Sequence, residues 1–132
     1  MTTTTRSITM QRVVVTGLGA VTPIGLTTDE FWDALLSGTS GAGPITKFDT
    51  EGHKTKIACE LADFDPEPYM DAKQARRQDL FSQYALAATA QAFEDAKLDT
   101  SELEEAQRDR IGAIFGTGVG GSTGLDGDDN RR

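Results

Sequence analysis

The sequence predicts an α/β fold, with strand, helix, helix and strand in that order and the two main strands parallel. Three observations predict it. Val13-Val14-Val15 is a β-branched run that ends at Gly17 and Gly19, the pattern of a strand covered on both faces. Ile111-Gly112-Ala113-Ile114-Phe115 is a second apolar run, which delivers the chain into Gly116-Thr117-Gly118-Val119-Gly120-Gly121. Between them lie segments whose apolar residues recur at helical spacing.

The elements follow in order. Residues 1–10 carry no apolar stretch, so they are no secretory signal and read as a flexible tail, with Met10 an alternative start. After the first glycine turn, Thr27-Thr28-Asp29-Glu30 offers a capping box: a hydroxyl for an orphan N–H and a Glu reaching back. The helix it opens carries Phe31, Trp32, Leu35 and Leu36 on one stripe, and Gly38 is its stop. Residues 39–44 are turn-rich, and Ile57 to Leu61 is a short strand. Pro66 and Pro68 break the chain before a helical turn near Tyr69 and Met70. The strongest helix is expected from Arg76 to Lys97, with Leu80, Phe81, Tyr84, Ala85, Ala88, Ala92 and Phe93 in phase. Its alanines make it thin enough to lie close to a neighbour, and it is expected to be mostly buried in the complete protein. Ser101-Glu102-Leu103-Glu104 is a second capping box before a short acidic helix. Ser122 to Arg132 holds three aspartates and one large apolar residue, so it reads as a disordered acidic tail.

Composition excludes several classes. The 132 residues make one domain or a piece of one. Thirteen basic against 21 acidic residues give a net charge of −8, the wrong sign for nucleic acid or an anionic membrane face. One cysteine forms no internal disulfide and fits a reducing compartment, so the expected location is the cytoplasm.

The glycines invite a dinucleotide reading, which needs G-x-G-x-x-G between a strand and a helix. After Gly17 and Gly19 the third position is Thr22, followed by Pro23, and the helix starts late. Gly116, Gly118 and Gly121 have the spacing, but no helix follows and no room remains for the ribose-binding acid. The plainer reading is that these glycines let the backbone turn with positive φ. Cys59 sits mid-strand beside Glu60, with nothing to favour a thiolate, and reads as a small buried hydrophobe. His53 is the only histidine and reads as a solvated loop residue. Asp63, Asp65, Glu67 and Asp71 lack the spacing of a calcium loop. The sequence therefore offers no catalytic residue and no metal site. Lys73, Arg76 and Arg77 fall at i, i+3 and i+4, so on a helix they share a face. They form either a solvated face pairing with Asp71 and Asp79, or a dock for an acidic partner.

Several of these segments, taken together, carry a resemblance. The strand-turn Arg12 to Gly25, the helix start Thr28-Asp29-Glu30-Phe31-Trp32 and the stretch Phe64-Asp65-Pro66 stand in family order. So do Lys73 to Asp79, Phe81-Ser82-Gln83-Tyr84-Ala85 and Gly116 to Gly121. Over residues 11–121 the chain resembles the β-ketoacyl-[acyl-carrier-protein] synthases of type II. Type I synthases and the ketosynthase domains of polyketide synthases share part of the pattern. The resemblance implies the opening part of a thiolase-like α/β/α/β/α fold, normally a homodimer. It implies transfer of an acyl group to a cysteine and decarboxylative condensation with malonyl-carrier protein in fatty-acid synthesis. Acyl groups arrive on phosphopantetheine, and no metal or organic cofactor is needed. Lys73, Arg76 and Arg77 match the basic face that meets the acyl carrier protein, and Val119 matches the apolar residue that lines the acyl pocket. The family's nucleophilic cysteine and two histidines match nothing here. Residues 122–132 depart from the family pattern, so the chain is expected to be a truncated piece, inactive alone and prone to aggregate through uncovered strands.

Overall fold

The structure, a computed structural model, describes residues 11–118 and 120. The expected tails at 1–10 and 122–132 lie outside the described residues, as do Val119 and Gly121. In chain order the elements are α1 (Thr28–Leu36), β1 (Ala42–Pro44), β2 (Ile57–Cys59), α2 (Ala72–Ala75), α3 (Leu80–Asp95) and α4 (Glu105–Arg108). No helix of the described residues is long and apolar enough to cross a membrane.

Helix α1 begins where its capping box predicts. Thr27 is the N-cap, and its hydroxyl accepts from the Glu30 N–H at 3.3 Å. The reciprocal half reaches one residue further back: Glu30 Oε2 accepts from the Leu26 N–H at 2.8 Å. At the other end Gly38 adopts φ 71°. Its N–H bonds Leu35 O, and the Thr39 N–H bonds Ala34 O. This double closure needs a left-handed residue at Gly38.

Neither main strand forms a ladder. Residues 11–20 and 111–117 carry no regular secondary structure, and Val13, Val15 and Ile114 are 90%, 79% and 98% exposed. A β-branched run becomes a strand only when a neighbour takes up its N–H and C=O groups. No segment among the described residues does so. The sheet they do contain is antiparallel, pairing Ala42 with Cys59 and Pro44 with Ile57. Its first strand falls in the stretch whose glycines and proline predict turns, because a partner outweighs weak propensity in so short a pair.

The long helix starts at Leu80 rather than Arg76. A separate four-residue helix, α2, precedes it, and Asp79 takes an extended N-cap conformation at φ −64°, ψ 154°. The acidic helix also starts late. Asp99 Oδ1 accepts from both the N–H and the hydroxyl of Ser101, which ties Ser101 into a turn, so α4 opens after Glu104.

The centre of the molecule is the inner face of α3. Ala87 is fully buried and Gln83 is buried one turn before it. Tyr84 meets Phe64 edge-on at 4.9 Å between centroids, and burial pushes the Tyr84 phenol up from its ordinary value. The first glycine turn lies across the same helix. Gly17 packs on the Ala92 carbonyl and Gly19 on the Ala88 carbonyl, leaving no space for a β-carbon. Neither has positive φ. Their smallness serves close approach to a backbone, not the left-handed turn the sequence suggests. The Leu18 N–H donates to Asp95 Oδ2 at 2.8 Å, and the Ala20 N–H to Gln91 Oε1 at 3.1 Å. Gln91 Nε2 in turn donates to Leu26 O at 2.7 Å and to the Tyr69 hydroxyl at 3.1 Å. One amide thus joins the glycine turn, the approach to α1 and the proline-rich loop.

Candidate functional site

The basic residues sit on a short, braced turn. Asp71 is the N-cap of α2, and its Oδ1 accepts from the N–H groups of Lys73 and Gln74, each at 2.8 Å. Gln74 Oε1 accepts from the Asp71 N–H at 3.3 Å, closing a capping box. The Asp71 carboxylate is therefore engaged with backbone beside Lys73. Lys73 lies within α2, and Arg76 is its C-cap at φ −68°, ψ −17°. The Arg77 N–H bonds Gln74 O at 3.0 Å. All three cations are exposed and share about one helical turn, with α2 and its cap supplying what the sequence reads as the start of a longer helix. Arg76 Nε donates to Ala72 O at 3.1 Å, so its side chain lies back along α2.

A side chain missed at the sequence level completes this turn. Gln83 Nε2 donates to Ala75 O at 2.8 Å and to Gln78 O at 2.9 Å, the carbonyls on either side of Arg76 and Arg77. Gln83, Ala87 and Gln91 recur every four residues on one face of α3. That spacing was the available signal. A search for apolar stripes passes over it because two of the three residues are polar.

The second glycine segment meets the start of α3. Residues 111–117 carry neither strand nor helix, so the context of a dinucleotide turn is missing among the described residues. A β-carbon at Gly120 would come within 3.1 Å of Phe81 Cε1. Gly116 and Gly118 have open space around them and no positive φ. Beside them lies an apolar groove of about 340 Å³ lined by Gln78, Phe81, Ser82, Ala85, Leu86 and Phe115. It runs from the residue after Arg77 to the residue before Gly116. Val119, the expected acyl-pocket residue, falls outside the described residues.

The remaining candidates stay apart from this turn in sequence and element. Cys59 is exposed at the end of β2, not buried, because nothing among the described residues covers that face of the two-stranded sheet. Next to it, hydrogen bonds from the Thr46 hydroxyl and the N–H groups of Thr46 and Lys47 hold the Glu60 carboxyl below its ordinary value. His53 is an exposed loop residue whose ring meets Phe48 edge-on at 5.6 Å. Asp65 accepts from the Glu67 N–H, so it, like Asp71, serves local backbone. Among the described residues no three His, Cys, Asp or Glu side chains gather as they would around a metal ion.

Comparison with known proteins adds the following. Residues 10–132 match the family described as "Beta-ketoacyl synthase, N-terminal domain". The chain is 47% identical over 111 residues to 3-oxoacyl-[acyl-carrier-protein] synthase 2 of Synechocystis, 45% to that of Coxiella burnetii and 47% to that of Vibrio cholerae. Each match covers 84% of this chain and 26% of the relative. The chain thus spans about a quarter of the length of the curated relatives it matches. Among solved structures it is similar to the ishigamide ketosynthase/chain length factor, with a TM-score of 0.62 and 40% identity, covering 70% of this chain and 23% of that one.

Proposed function

The chain belongs to the β-ketoacyl synthase family, within whose thiolase-like α/β fold it forms part of the N-terminal domain, and on that premise we propose that it serves a 3-oxoacyl-[acyl-carrier-protein] synthase of fatty-acid synthesis. What carries this reading is 44–47% identity over 111 residues to proteins that bear that name. In the whole enzyme, a cytoplasmic homodimer without metal or organic cofactor, a cysteine thiolate takes the acyl group from its carrier thioester and releases the carrier thiol. Malonyl-carrier protein then loses carbon dioxide. The resulting carbanion attacks the acyl-cysteine carbonyl and expels the thiolate, leaving a 3-oxoacyl-carrier protein. A helix N-terminus favours that thiolate and helps to hold the oxyanion, and two histidines stabilise the charge of decarboxylation.

This chain contributes recognition rather than that chemistry. Lys73, Arg76 and Arg77 put three positive charges on one exposed turn of a molecule of net charge −8, a local field that attracts an acidic carrier protein over long range. By its match to the family's acyl-pocket residue, Val119 is assigned to acyl-chain recognition. One histidine cannot supply a two-histidine site, and Cys59, in a strand beside Glu60, has no cationic or helix-terminal neighbour in sequence to stabilise a thiolate. The 132-residue chain therefore binds carrier protein and performs no condensation. Incubated with acyl- and malonyl-carrier protein it should release no 3-oxoacyl product; product above the enzyme-free blank refutes this division of labour.

A further inference from the structure

We propose that Gln83 is a positioning residue that fixes the carrier-facing geometry of Arg76 and Arg77, an inference that rests on the docking role given to those residues above. Helix α2 has four residues, far below the roughly 12–15 at which an isolated helix persists in water. Such a turn depends on its caps and on contacts from the rest of the chain. At its start the Asp71–Gln74 capping box holds it. At its end the brace is Gln83, which is only 7% exposed and whose amide nitrogen bonds the carbonyls of Ala75 and Gln78.

Those carbonyls bracket the two arginines. One donor group on the rigid helix α3 thus fixes the backbone on both sides of Arg76 and Arg77. Without it the Gln78 carbonyl turns to water, the Ala75 carbonyl keeps only the 3.4 Å bond from the Gln78 N–H, the four-residue helix loses its tie to α3, and the spacing of the charges varies. An array of charges ordered before binding gives up less entropy on docking than a mobile one. Gln83 touches no partner itself; it acts through the arginines.

The test is a double-mutant cycle on the full chain. Its probe is purified acyl carrier protein lacking phosphopantetheine, so that only surface docking is read. Affinity is titrated at fixed ionic strength for the unsubstituted chain, Q83M, R76A/R77A and the combination, with circular dichroism reporting folding. Q83M keeps length and loses both donations. It should weaken binding about fivefold, the loss expected when hydrogen bonds that hold a site are removed. In the R76A/R77A background it should weaken binding no further. Equal losses in both backgrounds overturn the proposal, since a general loss of structure acts without regard to the arginines. If R76A/R77A binds as the unsubstituted chain does, the docking role falls and takes this proposal with it. If R76A/R77A weakens binding and Q83M does not, the positioning role alone falls. Should Q83M fail to fold, the same cycle runs with Q83N, which keeps the amide but stops one methylene short of both carbonyls.

Discussion

Gly19 lies so close to the carbonyl oxygen of Ala88 that a β-carbon at position 19 would overlap it. Gly17 stands in the same relation to Ala92, one helical turn further along α3. Glycine turn and alanine helix are two halves of one contact, in which two residues without side chains lie on the backbone of α3 at Ala88 and Ala92. A Gly-x-Gly that fails as a nucleotide turn thus has a structural reason to exist, and the hydrogen bonds from Leu18 and Ala20 to Asp95 and Gln91 fasten it in place.

The two glycine segments should therefore respond oppositely to alanine. Gly19→Ala forces backbone from backbone and should cost about 3 kcal/mol, the upper range for overpacking. Gly116→Ala meets open space at a φ that alanine tolerates and should change stability by less than about 0.5 kcal/mol. Urea unfolding of both variants checks this; a harmless Gly19→Ala contradicts the close packing.

The ends of α1 and α3 give a second pair. Both helices close with the same double hydrogen bond, but the left-handed residue is Gly38 at φ 71° in one and Lys97 at φ 54° in the other. A β-carbon in that conformation costs about 1–2 kcal/mol, offset in part by the greater freedom glycine has in the unfolded chain. Lys97→Gly should stabilise by about 0.5–1 kcal/mol and Gly38→Ala should destabilise by about 1 kcal/mol. Thermal unfolding reads both signs.

What the sequence reveals divides along the range of the forces involved. The start of α1 at Thr27 and its stop at Gly38 are legible because a cap is written in neighbouring residues. The phase of α3 is legible for the same reason, although its first turn belongs to the break that Asp71 and Asp79 create. The three valines and Ile111 to Phe115 have strand composition but no ladder, since a strand is made by a partner distant in sequence. The reverse holds at Ala42 to Pro44, where a partner makes a strand of turn-forming residues. At the candidate site the three cations were visible as a spacing. Gln83 was not, because its value lies in two carbonyls that only folding brings to it.

Glu60 carries a pH dependence. Its carboxylate accepts from the Thr46 hydroxyl at 2.7 Å and from the Thr46 N–H at 3.0 Å, tying the segment after β1 to the end of β2. These bonds lower its folded-state value from the ordinary 4.5. A carboxyl depressed in this way stabilises the fold fully above its unfolded value and loses that contribution as pH falls through the lower, folded one. The urea midpoint of Glu60→Gln should therefore lie below that of the unsubstituted chain near neutrality, and the gap should close in acid below 4.5. A gap that persists unchanged in acid contradicts the assignment.

The basic turn of Lys73, Arg76 and Arg77 is proposed as a dock for acyl carrier protein. The direct measurement is a titration of carrier protein into the unsubstituted chain and into K73E/R76E/R77E across a series of salt concentrations. Binding should be strongest at low salt in the unsubstituted chain, weaken steadily as salt screens the charges, and vanish in the reversed variant at every salt. Equal affinity in the two chains would contradict it.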